Sequence, residues 1–213
     1  HPTNPNIVYA GTAQGGLYRT INGGTTWTPI MDNAQSLAIG AIAISPSSPE
    51  TVYVGTGEPN FSGDSYFGVG VYRIDNASTT ATLNGPFNLD AGAANIFSGR
   101  AIGKIIVHPT NPAVIFVCST SGVGGIISAS GTTPSRGIYR CDNATSGSPV
   151  FNKLTGLLGN IDASVHDITI DPNNANILLA VVLVGGGSGG IHRSINALDP
   201  TPANVTFTQT FIV

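Results

Sequence analysis

Two carboxylates, Glu58 and Asp64, stand in the glycine-, serine- and aromatic-rich stretch "GEPNFSGDSYFG" at 57–68. Cleavage of a glycosidic bond needs such a pair. One carboxyl protonates the leaving oxygen and the other attacks or activates water, at a separation of roughly 5 Å or about 6.5–9.5 Å. Asp167 is a third candidate. Phe61, Tyr66 and Phe67 stand beside the pair, followed by Asp90, Asn95, Phe97 and Arg100, and then by Arg136, Asp162 and His166. Rings stack on the apolar faces of sugars while amides and guanidinium groups bond hydroxyls, so Phe61, Tyr66, Phe67, Phe97, Arg100 and Arg136 are candidate ligand contacts. The same residue types also describe ordinary solvated loops pinned down by aromatics. Both readings stand at this level, and the catalytic residues remain unassigned.

Other chemistries find less support. The four histidines, His1, His108, His166 and His192, are scattered, so no metal cluster is expected. The stretch "GVGGI" at Gly122 and the run Gly185 to Gly190 lack both a Lys-Ser/Thr pair and a following helix pattern, and neither a phosphate site nor any cofactor is expected. The net charge is −3 and the 8 Lys and Arg form no run, which argues against nucleic acid and anionic membrane as partners. The apolar stretch Ile177 to Val184 is too short to insert across a bilayer. Only 9% of the residues are charged, so Ser, Thr, Asn and Gly must build the surface, which suits a secreted or cell-surface protein. The first residues do not read as a signal peptide, so that, if the protein is exported, its signal is expected upstream of His1.

The elements that must hold these loops repeat. "HPTNPNIVYAGT" from His1, "SPSSPETVYVGT" from Ser45, "HPTNPAVIFVCST" from His108 and "DPNNANILLAVV" from Asp171 each read as a turn leading into a strand. Apolar runs, "IGAIAI", "GKIIV" and "VHDITI", precede the last three. Each copy is followed by "LYRTIN", "VYRIDN", "IYRCDN" or "IHRSIN", and then by a fourth strand-like run. The unit is four antiparallel strands, which predicts an all-β propeller with about four blades at 1–30, 37–88, 100–154 and 164–213, the first lacking its innermost strand. In such a blade the second-to-third and fourth-to-first connections emerge at one edge. All the long loops therefore share a face.

"TINGGTTW", from Thr20 to Trp27, resembles the Asp-box of bacterial neuraminidase repeats, with Thr20, Gly24, Thr26 and Trp27 in place and Asn22 where that family usually has Asp. The preceding turn and strand are similar to those of the same propellers, among them sialidases, xyloglucan-active glycoside hydrolases and sortilin ectodomains. The later copies keep Asn76, Asn143 and Asn196 but lose the Gly-x-Thr-Trp half. The resemblance implies a turn whose Asn22 side chain accepts backbone N–H bonds while Trp27 packs into the blade. It also implies that a sialidase would need three substrate-clamping arginines. Only Arg100 and Arg136 lie off the repeated strand position, which counts against that activity.

Arg19, Arg73, Arg140 and Arg193 recur at one position, where cross-strand pairing and stem packing are favoured over a ladder of ligand contacts. Aligning the repeats sets Cys118 opposite Tyr139 and Cys141 opposite Phe116, on one face but diagonal, which favours free thiols. Asn76, Asn143 and Asn204 head N-x-Ser/Thr sequons. The reading that results is a non-catalytic binding, adhesion or scaffold module of an extracellular protein, with a part of a xyloglucanase- or sialidase-like hydrolase as the alternative. Its expected partners are the remainder of a longer chain, preferred over a neighbouring subunit, because the blades leave two open edges, and beyond these a glycan or an extracellular protein.

Overall fold

The computed structural model describes residues 1–60, 62–122, 133–184 and 187–212. Short β-branched and aromatic runs pair with their sequence neighbours into four antiparallel sheets. The first holds β1 (Val8–Gly11), β2 (Leu17–Thr20) and β3 (Thr28–Pro29). The second holds β4 (Ile39–Ile44), β5 (Val52–Thr56), β6 (Val71–Asp75) and β7 (Thr82–Phe87). The third holds β8 (Arg100–Val107), β9 (Ile115–Ser121), β10 (Gly137–Cys141) and β11 (Phe151–Lys153). The fourth holds β12 (Ser164–Asp171), β13 (Asn174–Leu183), β14 (Gly190–Ser194) and β15 (Thr208–Ile212). These are the blades of a β-propeller, and the first has three strands where the others have four.

Alternation along each strand divides the core into layers between successive sheets. Leu17 and Met31 meet Val52, Val54, Tyr72 and Ile74 between the first and second sheets. Tyr53 and Val71 meet Ile115, Val117, Tyr139 and Phe151 between the second and third. Phe116, Cys118 and Ile138 meet Val165, Leu178, Ala180 and Val182 between the third and fourth. At about 1.5–3 kcal/mol for each large side chain removed from water, these layers are the main source of cohesion.

The register corrects the cysteine alignment. Cys118 pairs with Ile138 and Cys141 with Ile115, so the two thiols lie on opposite faces of the third sheet. Both are free and buried.

Three of the four repeated arginines, Arg19, Arg73 and Arg140, bind forward into the next sheet, not across their own strand pair. Arg19 Nη1 donates to the carbonyls of Ala77 and Thr79 at 2.8 and 2.6 Å. Arg73 Nη1 donates to Ala144 and Ser146 at 2.8 and 2.7 Å, and Arg140 Nη1 to Ala197 at 2.8 Å. The acceptors are the first and third residues after the repeated Asn. Asp75 and Asp142 face the remaining donors of Arg73 and Arg140. Ile21 stands at that place in the first sheet, and Arg19 Nε is buried without a partner.

Side chains close the turns at this edge. His1 Nδ1 accepts the N–H groups of Thr3 and Asn4, and His108 Nδ1 those of Thr110 and Asn111. Asn22 Oδ1 accepts from Thr26 N at 2.9 Å, Asn143 Oδ1 from Val150 N at 2.9 Å and Asn196 Oδ1 from Thr206 N at 3.0 Å. Asn76 differs in adopting a φ of 53°, while its backbone carbonyl accepts from Thr79 N just as those of Asn22, Asn143 and Asn196 accept from Thr25, Ser146 and Asp199 N. Trp27 also departs from expectation. It is 42% exposed and lies beside Gly24 of its own turn, and none of the described sheets covers it.

Candidate functional site

The opposite edge carries the long connections, and they are tied to one another. Gly57 N donates to Ala38 O, Gly68 N to Arg100 O and Gly99 N to Gly68 O, which joins the loop after β5 to the connections on either side of the second sheet. The loop itself is closed at its base by Glu58. Its N–H donates to Tyr66 O, and its Oε2 accepts from Tyr66 N at 2.6 Å. The Glu58 side chain is buried, so this carboxylate serves as a loop clasp. Asp64 stands exposed in the Ser62–Ser65 turn, whose Ser62 and Ser65 hydroxyls bond each other.

The clasp presents Tyr66 and Phe67, both half-buried, to a cavity of about 340 Å³ between the first two sheets. Gln14, Gln35, Ser36, Leu37, Ala38 and Val69 complete its lining. Rings, amides and a hydroxyl therefore converge in one concave place. The sequence reading placed the two aromatics on the loop face but missed Gln14, Gln35 and Ser36. They belong to short connections that carry no composition signal.

The remaining candidates go elsewhere. Phe97 is fully buried and packs edge-on against Tyr139 and Phe151 at 5.0 and 5.1 Å, so it is core and has no face to offer a ligand. Arg100 is buried too, with Nε donating to Pro134 O at 2.6 Å. Arg136 donates to both carboxylate oxygens of Asp162 at 3.0 Å and to the hydroxyls of Ser121 and Ser164. It thereby ties the loop after β9 to the segment leading into β12. Burial alone raises the Asp162 carboxyl, but the Arg136 hydrogen bonds and charge, with the Arg100 charge, outweigh it and hold the group below the ordinary carboxylate range. Asp167 pairs with Lys104 at 3.2 Å and accepts from Ile168 N. Phe61 lies outside the described residues, as do most of the stretch "GVGGI" and the first two glycines of the run at Gly185. Among the described residues no group of His, Cys, Asp and Glu is arranged to hold a metal, and no helix is long and apolar enough to cross a membrane.

No family model matches the chain. It is similar to a xyloglucanase of a Paenibacillus species, with 26% identity over 125 residues that cover 56% of this chain and 12% of that protein. It is also similar to the oligoxyloglucan-reducing end-specific xyloglucanase of Emericella nidulans, with 25% identity over 192 residues covering 88% of this chain and 21% of that one. The chain thus spans only 12% and 21% of the length of these curated relatives. Among solved structures, the GH74 xyloglucanase of Xanthomonas campestris aligns with a TM-score of 0.63 at 18% identity, covering 95% of this chain and 27% of that one. The GH74 enzyme of Niastella koreensis aligns at 0.61 and 18%, covering 98% and 28%. The fold is that of the GH74 β-propellers, and the likeness sides with the hydrolase alternative over the non-catalytic scaffold.

Proposed function

We propose that this chain is a four-blade portion of a secreted, xyloglucan-active glycoside hydrolase of the Asp-box propeller type, and that its share of the work is to hold the polysaccharide. The cavity that joins Tyr66 and Phe67 to Gln14, Gln35 and Ser36 carries this reading. It matches what a sugar presents, with apolar ring faces for the aromatics and hydroxyls for the amides. The likeness to two named xyloglucanases supports the substrate class. Glu58, the best-placed carboxylate near the cavity, is engaged in closing its own loop. The acid–base pair is therefore assigned to residues outside the described blades. The Asn22 turn fits the box as an architectural element.

Affinity electrophoresis of the 213-residue chain through gels containing xyloglucan tests the proposal. Retardation is expected with the parent chain, and the paired substitutions Tyr66→Ala and Phe67→Ala should weaken binding about tenfold or more while circular dichroism stays unchanged. Undiminished retardation of that variant would refute the site. Release of reducing ends from xyloglucan by the chain alone would refute the division of labour.

A further inference from the structure

The sequence has two lysines, and among the described residues only one of them has a carboxylate partner. Lys104 meets Asp167 at 3.2 Å. Lys153 lies at the loop edge of the third sheet, opposite Tyr139 in register. Its stem crosses Gly137, where an added Cβ would come within 2.8 Å of Cε. That crossing steers the ammonium to Ser135, whose hydroxyl accepts from Nζ at 2.6 Å. The carboxylate that acts on Lys153 from a distance is that of Asp162, which already pairs with Arg136. Burial holds the ammonium below the ordinary lysine range, so this charge is partly stripped of water with no counter-ion in exchange among the described residues.

Lys153 lines a cavity of about 400 Å³ between the second and third sheets, together with Asp90, Asn95, Ile96, Ser135 and Tyr139. Asp90 Oδ1 accepts the N–H groups of Gly92 and Ala94, and Asn95 Oδ1 those of Phe97 and Ser98. These bonds fix both side chains, and among the described residues nothing bonds Asp90 Oδ2 or Asn95 Nδ2. The cavity therefore presents one cation, one free acceptor, one free amide donor and the apolar wall of Ile96. A dianion such as phosphate would be opposed by the Asp90 charge, and a neutral sugar would leave the ammonium unanswered. A sugar that carries one carboxylate among its hydroxyls answers every group, with the carboxylate at Lys153, hydroxyls at Asp90 and Asn95, and a ring face at Ile96.

We propose that this cavity binds a uronic acid residue of an acidic polysaccharide, with Lys153 as the carboxylate contact. The site is separate from the cavity at Tyr66, which lies between the first and second sheets, and its ligand differs in charge from the glycan proposed there.

Titration calorimetry of the 213-residue chain with trigalacturonate and with its methyl ester tests the site, since the ester keeps every ring and removes the charges. The acid should bind about tenfold or more tightly than the ester, the effect of one charged hydrogen bond. Lys153→Gln should abolish that preference while the far-ultraviolet circular dichroism stays that of the parent. The comparison of acid with ester uses the parent chain and decides the matter whatever the fold of the variant. Tyr66→Ala with Phe67→Ala should leave trigalacturonate binding unchanged, so a failure of the xyloglucan reading is told apart from a failure of this one. Equal affinity for acid and ester, a preference that survives Lys153→Gln, loss of trigalacturonate binding in the Tyr66 and Phe67 variant, or displacement of trigalacturonate by an equal concentration of inorganic phosphate would each overturn the proposal.

Discussion

Cys118 lies between the third and fourth sheets and Cys141 between the second and third. Burial pushes the Cys118 thiol far above its ordinary range and is the main cause that raises Cys141 to about 11, with hydrogen bonds around Asn143 acting the other way. A thiolate is the reactive form, so neither residue offers one near neutral pH. Iodoacetamide at pH 8 should leave both unmodified in the folded chain and label both in guanidinium chloride, as read by intact mass. Rapid labelling of Cys141 in the folded chain would contradict its placement. The thiols also illustrate what residue types alone withhold. Aligning repeat strings set them on one face, because a register slip of one residue is invisible in the text and turns a side chain to the other side of the sheet. Phe97 failed for a related reason: an aromatic in a long loop reads the same whether it faces solvent or folds back onto Tyr139 and Phe151.

Among the elements, the joints between sheets combine an apolar layer with one arginine that reaches a neighbouring turn and, for Arg73 and Arg140, also a carboxylate two residues on. Arg73 is the fullest case, with Asp75 on one side and the carbonyls of Ala144 and Ser146 on the other. Lysine keeps the charge but not the planar fork. Arg73→Lys should therefore lower stability by about 2–4 kcal/mol in urea titrations, while Arg193→Lys stays within about 0.5 kcal/mol because none of the described residues receives its donors. Equal losses would show that the inter-sheet bonds carry no weight. The strands themselves were legible in the sequence, since turn, apolar run and Arg-x-x-Asn return four times with a recognisable order. The forward reach of the arginines was not legible, because a repeat states that a position matters without stating which sheet it addresses. The carboxylate two residues after Arg73 and Arg140 was the available clue. It marks those side chains as lying along the sheet instead of pointing at a ligand.

For the molecule as a whole, the two edges are held by different chemistry. The turn edge rests on amides, carbonyls and histidine ring nitrogens, while the loop edge relies on the Arg136–Asp162 pair between the third and fourth sheets. Because the Asp162 carboxyl is held below its ordinary value near 3.9, its contribution is fully present above that value and is lost as pH falls through the depressed native one. Melting temperature should therefore fall more steeply below about pH 4 in the parent than in Asp162→Asn, whose stability is lower at neutral pH but less dependent on acid. Identical profiles would remove Asp162 from the account. The turn edge has a consequence for how such a chain can lengthen. The Asn side chain closes turns that return at Thr26, Val150 or Thr206, while the carbonyls that receive the preceding arginine sit at the start of the turn, before the part that varies. Copying a whole blade inserts one guanidinium and one carbonyl pair that satisfy their neighbours. The part of the turn that varies can therefore lengthen or shorten from one copy to the next without displacing the carbonyls on which the joint between sheets depends.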